Sequence, residues 1–360
     1  MKEKKKWWKR LLKFVAVELL AVVVAVVAFF GFLSVTEYKP KDVEELTLSG
    51  KAENVLSKGD TIKFMTWNIG YGALGDNADF FMDGGSMVYS ADKERVTSNM
   101  NGIIKAINDV SPDILLMQET DINSARSYHI NEMELVQNEL DGYVSSFANN
   151  FKVVFLPYPI PPIGKVDSGI VTYSSYPVES AQRIQLPIPF SWPVSMANLK
   201  RCLLVNRIPV EGTDNEIVLI NLHLEAYDDG EGKIMQTKML HDILEQEVKA
   251  GNYVIAGGDF NQVFSNADTS AYPAQEGKWK AGEIDVSVFS DGWQFLMDTR
   301  VPSCRSLDSV YAGAEHNGFQ YYAIDGFIVS GNIRVDSLQT IDLDFVCSDH
   351  NPVVMSATLQ

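Results

Sequence analysis

Positions 253–261 read Tyr253-Val254-Ile255-Ala256-Gly257-Gly258-Asp259-Phe260-Asn261. The apolar residues at 253–256 have the length and composition of a short buried strand. The polar residues that follow include Asp259 and Asn261, and side chains two positions apart lie on the same side of an extended chain. A strand that ends in a carboxylate and an amide on one side is suited to holding a metal ion and a phosphate.

Polar side chains also stand at the ends of several other apolar runs. These are Asn68 after 61–67, Glu119 after 114–117, His223 near the end of 217–224, Asp325 within 323–329, and the pair Asp349 and His350 before 353–358. Cleavage of a phosphoester needs charge stabilisation at phosphorus, an activated water and a protonated leaving group. Acids, amides and imidazoles supply these functions, although a single Asp at a strand end is more often a turn residue.

The remaining apolar patterns predict an α/β fold. Helices are predicted at 91–110, 130–140 and 232–249, and further strands at 153–156, 169–173 and 202–209. Since strands recur both with and without helices between them, we expect an α/β sandwich of two sheets with helices outside. The periodicity of the chain does not decide the order of the strands.

The N-terminus is predicted to be a membrane anchor. Residues 1–13 form a basic flank that contains Trp7 and Trp8, and residues 14–35 are almost wholly apolar. About 20 apolar residues span a bilayer as a helix, and a basic flank stays on the cytoplasmic side. A cleaved signal peptide is the alternative, but no Ala-x-Ala site follows the apolar run.

We therefore expect a single-pass protein of the cell membrane with its N-terminus in the cytoplasm. Residues 36–60 are predicted to form a polar stalk, and residues 61–360 a catalytic domain on the extracytoplasmic side.

The charge of the chain disfavours a general nucleic-acid binder. The net charge is −17, and residues 36–360, with 23 basic and 45 acidic residues, carry −22. An acidic body repels polyanions, whereas proteins that bind nucleic acid neutralise phosphates with Lys and Arg. A nuclease stays open, because a metal site supplies local positive charge. The three cysteines have no zinc spacing, so we expect buried free thiols, with one disulfide as the alternative.

The polar strand ends, taken together and in order, resemble the endonuclease/exonuclease/phosphatase superfamily from about Thr61 to the C-terminus. The matching motifs are Trp67-Asn68, Gln118-Glu119, Asn221-Leu222-His223-Leu224, Gly258-Asp259-Phe260-Asn261, Ile324-Asp325 and Ser348-Asp349-His350. The resemblance implies a four-layer α-β-β-α sandwich of two mixed sheets. It also implies a phosphoric ester hydrolase that uses Mg²⁺ or Mn²⁺.

The resemblance further implies a role for each matching residue. Glu119 is the principal metal ligand, Asn68 beside it bonds metal-bound water or phosphate, and Asp349 completes the metal shell. Asp259 orients or deprotonates the attacking water, and Asn261 holds the phosphate. His350 contacts the phosphoryl oxygen and pairs with Asp325, while His223 is a second phosphate-binding or acid imidazole. Water attacks in line without a covalent intermediate, and the group that protonates the leaving oxygen stays open.

Two residues outside these motifs are also candidates for substrate binding. Arg126 and His129 follow shortly after Glu119, where either side chain could reach a substrate phosphate. An ordinary loop role is the alternative for both.

Two Pro-rich apolar segments, 155–163 and 186–194, bear on the substrate. Either they are loops packed on the sandwich, or they form an apolar rim that touches lipid near the active site. Lys200-Arg201 is the only adjacent basic pair after residue 35, so a nucleic-acid groove is not favoured. We expect a monomer that hydrolyses a phosphodiester or phosphomonoester of a lipid headgroup or small molecule. The alternative is a membrane-anchored nuclease that acts on DNA or RNA, whereas a non-catalytic domain would have lost some of the named residues.

Overall fold

The computed structural model describes residues 2–228 and 230–360, so that Met1 of the predicted basic flank lies outside the described part. Strands and helices are numbered separately in chain order. The α-helices of the described residues are α1 (Lys2–Val35), α2 (Lys93–Val110), α3 (Glu132–Glu139) and α4 (Glu231–Lys249). Two large mixed sheets carry most of the remaining chain.

The first sheet has seven strands and contains the motif with which the sequence analysis began. In spatial order the strands are β1 (Val43–Glu45), β7 (Ser180–Gln185), β8 (Cys202–Pro209), β9 (Glu216–His223), β10 (Tyr253–Asp259), β16 (Asp325–Val329) and β13 (Gln294–Leu296). Strand β10 is parallel to β9 and antiparallel to β16, so that Asp259 is paired with His223 on one side and with Asp325 on the other.

The second sheet also has seven strands. In spatial order they are β17 (Ile333–Thr340), β18 (Val353–Leu359), β3 (Thr61–Asn68), β4 (Ile114–Asp121), β6 (Gly164–Ser174), β5 (Val144–Leu156) and β2 (Ser49–Gly50). Two small pairs complete the strands: β11 (Gln262–Phe264) with β12 (Gly282–Ile284), and β14 (Cys304–Arg305) with β15 (Tyr321–Tyr322). Strands β3 and β4 are parallel, which places Asn68 beside Gln118 at the same end of the sheet.

The core confirms the predicted four-layer sandwich. Phe64 and Leu116 of the second sheet pack against Ile255 and Phe327 of the first sheet in one buried cluster between the sheets. A second cluster joins the outer face of the second sheet to α2, and a third joins the outer face of the first sheet to α4. Each strand therefore alternates between a face toward the other sheet and a face toward helices.

Helix α2 forms where the apolar period predicts it. Its buried residues Val96, Met100, Ile103 and Ile107 share one face, which packs on the second sheet. The helix begins after Asp92, whose side chain accepts a hydrogen bond of 2.8 Å from the backbone N–H of Arg95. This cap satisfies one of the free N–H groups of the first turn.

Several strands differ from the sequence prediction. Strand β5 begins at Val144 rather than at 153, and the predictions did not include β7 or β17. The outward side chains of β17 are exposed and polar, with Arg334, Ser337 and Gln339 among them. Without an apolar run or a strict alternation, a strand of this kind has no clear pattern in the sequence.

The segment predicted to be a polar stalk is part of the sandwich. Within residues 36–60, β1 pairs antiparallel with β7 of the first sheet and β2 pairs antiparallel with β5 of the second. Pairing at both sheet edges supplies partners for backbone groups that would otherwise be open. The folded domain therefore begins soon after α1, rather than at residue 61.

Helix α1 contains one segment, Lys6–Val35, that is long and apolar enough to cross a membrane. Most of its apolar side chains are exposed, whereas Leu33 in the last turn is buried against the domain. The three cysteines are free thiols, Cys202 and Cys304 being buried and Cys347 half-buried.

Asn221 makes a polar bridge between the two sheets. Its Nδ2 atom donates to the carbonyl oxygens of Met117 (3.2 Å) and Val171 (2.8 Å), and its Oδ1 atom accepts from Nε2 of Gln118 at 2.8 Å. Asn221 and Gln118 are both fully buried, so water cannot replace these bonds. The motif residue Asn221 therefore has a structural role between the sheets.

We expect Asn221→Leu to lower the free energy of unfolding by about 1–3 kcal/mol, because two carbonyl oxygens and one amide lose their buried partners. Thermal or urea unfolding of the full chain in detergent measures this loss. Asn138→Leu, at an exposed position of α3, is the matched control. A loss no larger than that of the control would contradict the bridging role.

Candidate active site

The site lies at the polar end of the layer between the two sheets. Along β10 and β9, the residues that face the other sheet change from apolar ones such as Ile255 and Leu219 to Asp259 and His223. Along β3 the same face ends in Asn68. Because side chains alternate along strands, one face of each strand contributes both the apolar core and the polar site.

Glu119 reaches the site because β4 is irregular. The pairing of β4 with β6 shifts between Met117 and Thr120, and Glu119 has a φ of 51°. In a regular strand Glu119 would point with Met117 toward the helices, since Gln118 faces the other sheet. The bulge turns the Glu119 carboxylate toward Asn68 instead, with 3.3 Å between Asn68 Nδ2 and Glu119 Oε1.

Asn68 holds acids from both sheets through one amide nitrogen. Its Oδ1 accepts from the backbone N–H of Gly70 at 3.1 Å, which fixes the orientation of the amide. Its Nδ2 then donates to Asp259 Oδ2 at 3.0 Å as well as to Glu119. The sequence analysis gave Asn68 both a metal and a phosphate role. In this orientation the amide nitrogen, a hydrogen-bond donor, faces the two acids, and both roles stay predictions.

Asp259 is the most heavily hydrogen-bonded acid of the site. Its Oδ1 accepts from the backbone N–H of Asn261 at 2.9 Å, and its Oδ2 lies 3.3 Å from Nε2 of His223 and 3.8 Å from Nε2 of His350. Burial and the charge of Asp325 together raise the pKa of Asp259 to about 7, although the charge of His350 opposes the shift. An acid with a pKa near neutrality is suited to proton transfer.

His350 and Asp325 form a buried ion pair. Asp325 Oδ2 lies 2.8 Å from Nδ1 of His350 and accepts a second hydrogen bond of 2.7 Å from the Ser303 hydroxyl. Burial would lower the pKa of His350, but the Asp325 carboxylate and the neighbouring Cys304 together hold this pKa well above its usual value. Because Asp325 occupies Nδ1, the Nε2–H of His350 is directed toward Asp259 and the site.

His223 is a neutral imidazole. Burial lowers its pKa well below the usual value, and the charges of Arg201 and His350 lower it further. Arg201 lies on the backbone side of His223, where its Nη1 donates to the His223 carbonyl at 3.2 Å. Asp259 therefore lies between two imidazoles in different protonation states. His350 is charged and His223 is neutral.

The donors around Asp349 and Glu119 fit a hard divalent cation. Burial and the charge of Glu119 raise the pKa of Asp349 to about 6, although the charges of His350 and Arg305 oppose the shift. Within the described residues, neither carboxylate has a Lys or Arg within 4.0 Å. Charged His350 lies 4.0 Å from Asp349 Oδ2, but no Lys or Arg occupies the two carboxylates, which are the oxygen donors that Mg²⁺ prefers.

Two sets of three side chains in this region could also hold a metal ion, and one of them includes Asp349. In each set the ligand atoms are within 4.8 Å of one another: Cys304, Asp349 and His350, and Asp259, Asp325 and His350. The second set is already explained by the ion pair of His350 with Asp325, and the first set includes Asp349.

The predicted substrate-binding residues are placed differently from one another. Asn261 adjoins the site, with a φ of 52°, and its Nδ2 donates to the Leu224 carbonyl at 2.9 Å. The Nε and Nη2 atoms of Arg126 bond both carboxylate oxygens of Asp121, which leaves Nη1 for a ligand. His129 is exposed and its Nδ1 lies 2.8 Å from Asn123 Oδ1, so its described contacts are outside the cluster.

Two serines support the site and were not singled out by the sequence analysis. Ser303 bonds Asp325 as described above, and its oxygen also accepts from the backbone N–H groups of Ile324 and Asp325. The Ser348 hydroxyl donates to the Asn68 carbonyl at 2.8 Å and ties the last motif to the first. Ser348 belongs to a quoted motif, whereas Ser303 follows Pro302 in a loop and has no signal in the sequence.

A two-sheet sandwich with acids and imidazoles gathered at one end of its central layer is the arrangement expected of the phosphoesterase and nuclease class. The comparison with protein families agrees with this class. The model described as "Endonuclease/Exonuclease/phosphatase family" matches residues 65–350, and the chain belongs to this family. No curated protein matches the chain.

Solved structures share the fold at low sequence identity. An endonuclease/exonuclease/phosphatase from Beutenbergia cavernae is 18% identical, with a TM-score of 0.55, over 83% of this chain and 72% of that one. A Bacteroides vulgatus structure of the same description is 15% identical, with a TM-score of 0.54, over 84% and 100% of the two chains. The catalytic domain of human Nocturnin with bound sulfate is 15% identical, with a TM-score of 0.51, over 88% and 98%.

Proposed function

We propose that this protein hydrolyses a phosphodiester or phosphomonoester by in-line attack of water, with Mg²⁺ or Mn²⁺ as cofactor. The observation that carries the proposal is the convergence of Asp259, Asp325 and His350 with Asn68 and Glu119 at one end of the sandwich. A bound divalent cation stabilises negative charge on the phosphoryl oxygens. Glu119 and Asp349 would hold this cation.

The two sheets divide the remaining tasks. Asp259 of the first sheet accepts a proton from the attacking water, because burial and Asp325 hold its pKa near neutrality while hydrogen bonds from Asn68 and the Asn261 N–H orient its carboxylate. The charged Nε2–H of His350 donates to a phosphoryl oxygen, with Asp325 holding the ring. When substrate binds, Nδ2 of Asn68 gives up its hydrogen bond to one of the two carboxylates and donates to the same phosphate.

Three further residues have supporting roles in the proposal. Asn261 binds phosphate through its amide, and Arg126 does so through Nη1, since Asp121 holds its other nitrogens. His223 is the candidate second phosphate-binding imidazole, because its neutral ring can donate a hydrogen bond beside Asp259. A neutral ring has no acidic proton for the leaving oxygen, which takes its proton from solvent water. His129 remains a proposed contact only for a substrate that extends beyond the cluster.

The charge states predict a bell-shaped dependence of kcat/KM on pH. The rate rises with pH as Asp259, with a pKa of about 7, becomes ionised, and falls at alkaline pH as His350 loses its proton. Bound metal adds positive charge and lowers the pKa of Asp259, so the acid limb moves to lower pH as Mg²⁺ increases. Profiles with a soluble diester at two Mg²⁺ concentrations test this. A rate that is independent of pH through neutrality would contradict it.

A lipid headgroup or a small molecule is the proposed substrate class, and a nucleic acid is the alternative. The acidic body carries −22 over residues 36–360. The one adjacent basic pair is also occupied, since Lys200 pairs with Glu37 at 3.0 Å and Arg201 pairs with Glu225 at 3.3 Å. These pairs leave no basic groove for a nucleic-acid backbone at this position.

We further propose that α1 is an uncleaved anchor in the cell membrane, with residues 2–13 in the cytoplasm, and that a monomeric catalytic domain acts outside the cytoplasm. The basic flank and the apolar segment Lys6–Val35 support this orientation.

The test is hydrolysis by the full chain in detergent. Bis-p-nitrophenyl phosphate, phospholipids, sugar phosphates, DNA and RNA are offered with Mg²⁺, with Mn²⁺ and with chelator. We expect metal-dependent release of product from the soluble diester and from at least one lipid or small phosphoester. No turnover of any substrate by folded protein would refute the enzyme. Turnover of nucleic acid alone would establish the alternative.

A further inference from the structure

The last turns of α1 contact one loop of the folded domain. This loop, residues 186–201, joins β7 to β8, and we call it the anchor loop. The rings of Phe30 and Trp192 have centroids 6.3 Å apart, and the Ser34 hydroxyl bonds Met196 Sδ at 2.9 Å. Just beyond the helix, Glu37 pairs with Lys200 at 3.0 Å.

These contacts place the anchor loop at the level of the membrane surface. About 20 residues of a helix cross the hydrocarbon layer. The first 20 residues after the basic flank are 14–33, so the crossing segment reaches Leu33. Phe30 lies five residues before the end of α1, which is about 7.5 Å along the axis at about 1.5 Å per residue. A side chain in contact with Phe30 therefore lies where the hydrocarbon layer meets the headgroups, the layer that Trp prefers.

The anchor loop is also next to the active site. The loop follows Gln185 and precedes Cys202. These two residues are paired with each other at the end of β7 and β8 in the first sheet. At this end, β8 pairs with β9 so that Leu203 is opposite Leu222, one residue before His223. Arg201, the last residue of the loop, bonds the His223 carbonyl.

A second apolar loop lies at the same end of the second sheet. Residues 157–163, here called the hairpin loop, join β5 to β6, and β6 runs beside the Glu119 end of β4. Ile160 is 94% exposed and Tyr158 is 65% exposed, so the domain itself covers neither side chain. Both strand pairings therefore bring apolar loops to the end of the sandwich where the site opens.

Apart from Lys200 and Arg201 at the end of the anchor loop, which pair with Glu37 and Glu225, the two loops are uncharged in a strongly acidic body. Neither 186–199 nor 153–163 contains an Asp, Glu, Lys or Arg, whereas residues 36–360 carry −22. Exposed apolar side chains without charge suit the interface of a zwitterionic bilayer, and acidic groups at this position would oppose insertion.

We infer that the catalytic end of the sandwich faces the membrane that α1 crosses, with the anchor loop and the hairpin loop in the headgroup layer of zwitterionic lipid. The inference builds on the proposed function, because a site in this orientation takes its phosphoester from the membrane surface. A lipid phosphoester in the same leaflet is then the substrate class that needs the shortest path to Glu119 and His350.

The test measures the depth of two positions in the full chain, reconstituted in phosphatidylcholine liposomes. A fluorophore is attached at Ile160→Cys or, as the control, at Val55→Cys, in a Cys347→Ser background that leaves only buried thiols. Val55 is an apolar residue that is 63% exposed and precedes the start of β3, at the other end of the sandwich. Trp192→Cys is a second probe position in the anchor loop.

Nitroxide-labelled lipid is expected to quench the probes at Ile160 and Trp192 at least about threefold more than the probe at Val55, since quenching falls steeply over a few ångströms. Equal quenching at all three positions would overturn the inference. Shielding from aqueous iodide without quenching by lipid would also overturn it, because a second copy of the chain would then cover the loops.

Turnover of a soluble diester by the same liposomes is measured separately. Deep probes with no turnover would uphold the orientation and refute the proposed function. Shallow probes with normal turnover would refute the orientation alone.

Discussion

Glu119→Gln is expected to lower kcat/KM by about 10²- to 10³-fold, with little change in the stability of the fold. The substitution keeps the shape of the side chain but removes the charge that, with Asp349, attracts the divalent cation. Asn68 Nδ2 would then face an amide at the position of Glu119 Oε1, 3.3 Å away, in place of a carboxylate. The Mg²⁺ concentration needed for half-maximal rate should rise at the same time.

The control for Glu119→Gln is Glu139→Gln, which removes an acid from the exposed end of α3. Kinetics with a soluble diester are measured over a range of Mg²⁺, and thermal unfolding is measured in parallel. A near-wild-type rate for Glu119→Gln would remove this residue from the metal site. A rate that recovers fully in excess Mg²⁺ would show that Glu119 acts only through metal affinity.

His350→Ala is expected to reduce kcat by about 10²- to 10⁴-fold. The variant loses the charged Nε2–H that is directed to the site, and it also leaves Asp325 as a buried acid whose remaining partner is Ser303. The alkaline limb of the pH profile should disappear with the imidazole, because His350 is the group that titrates there.

Asp325→Asn separates positioning from contact with substrate. We expect a smaller loss than for His350→Ala, together with a downward move of the alkaline limb, since the charge of Asp325 is what raises the pKa of His350. The double variant should be no slower than His350→Ala, because residues that act as a unit are not additive. His241→Ala, in α4, is the control outside the site. Additive losses would show that Asp325 acts independently.

The apolar patterns in the sequence predicted the sandwich because the buried strands are continuous runs. Strand β10 is an example, since all of its residues are buried. Helix α2 was predicted from its apolar period, and that apolar face is the buried one. The strands that were missed, such as β17, are exposed on one face, where polar side chains stay hydrated and carry no desolvation penalty. The edge strands β1 and β2 were predicted as stalk because two or three residues are too short to carry a pattern.

The strand-end residues of the site could be identified from the sequence, but not how each one is aimed. The orientation of Glu119 depends on a bulge in β4, and strand periodicity alone points this side chain to the wrong face. The amide orientation of Asn68 depends on the Gly70 N–H. Arg126 was predicted to be available for phosphate, whereas Asp121, five residues earlier, binds two of its nitrogens. Such pairings depend on tertiary contacts and leave no spacing to recognise.

Gly257 lets the two sheets approach each other closely beside the site. A methyl group at this position would lie 2.6 Å from Phe327 Cδ1 and 2.9 Å from Leu116 Cδ1 of the opposite sheet, so the two sheets approach as closely as a bare backbone permits. Two residues further on, the 3.0 Å bond from Asn68 to Asp259 crosses the same gap. A side chain as small as one methyl group at Gly257 would therefore press on side chains of both sheets next to the contact between Asn68 and Asp259.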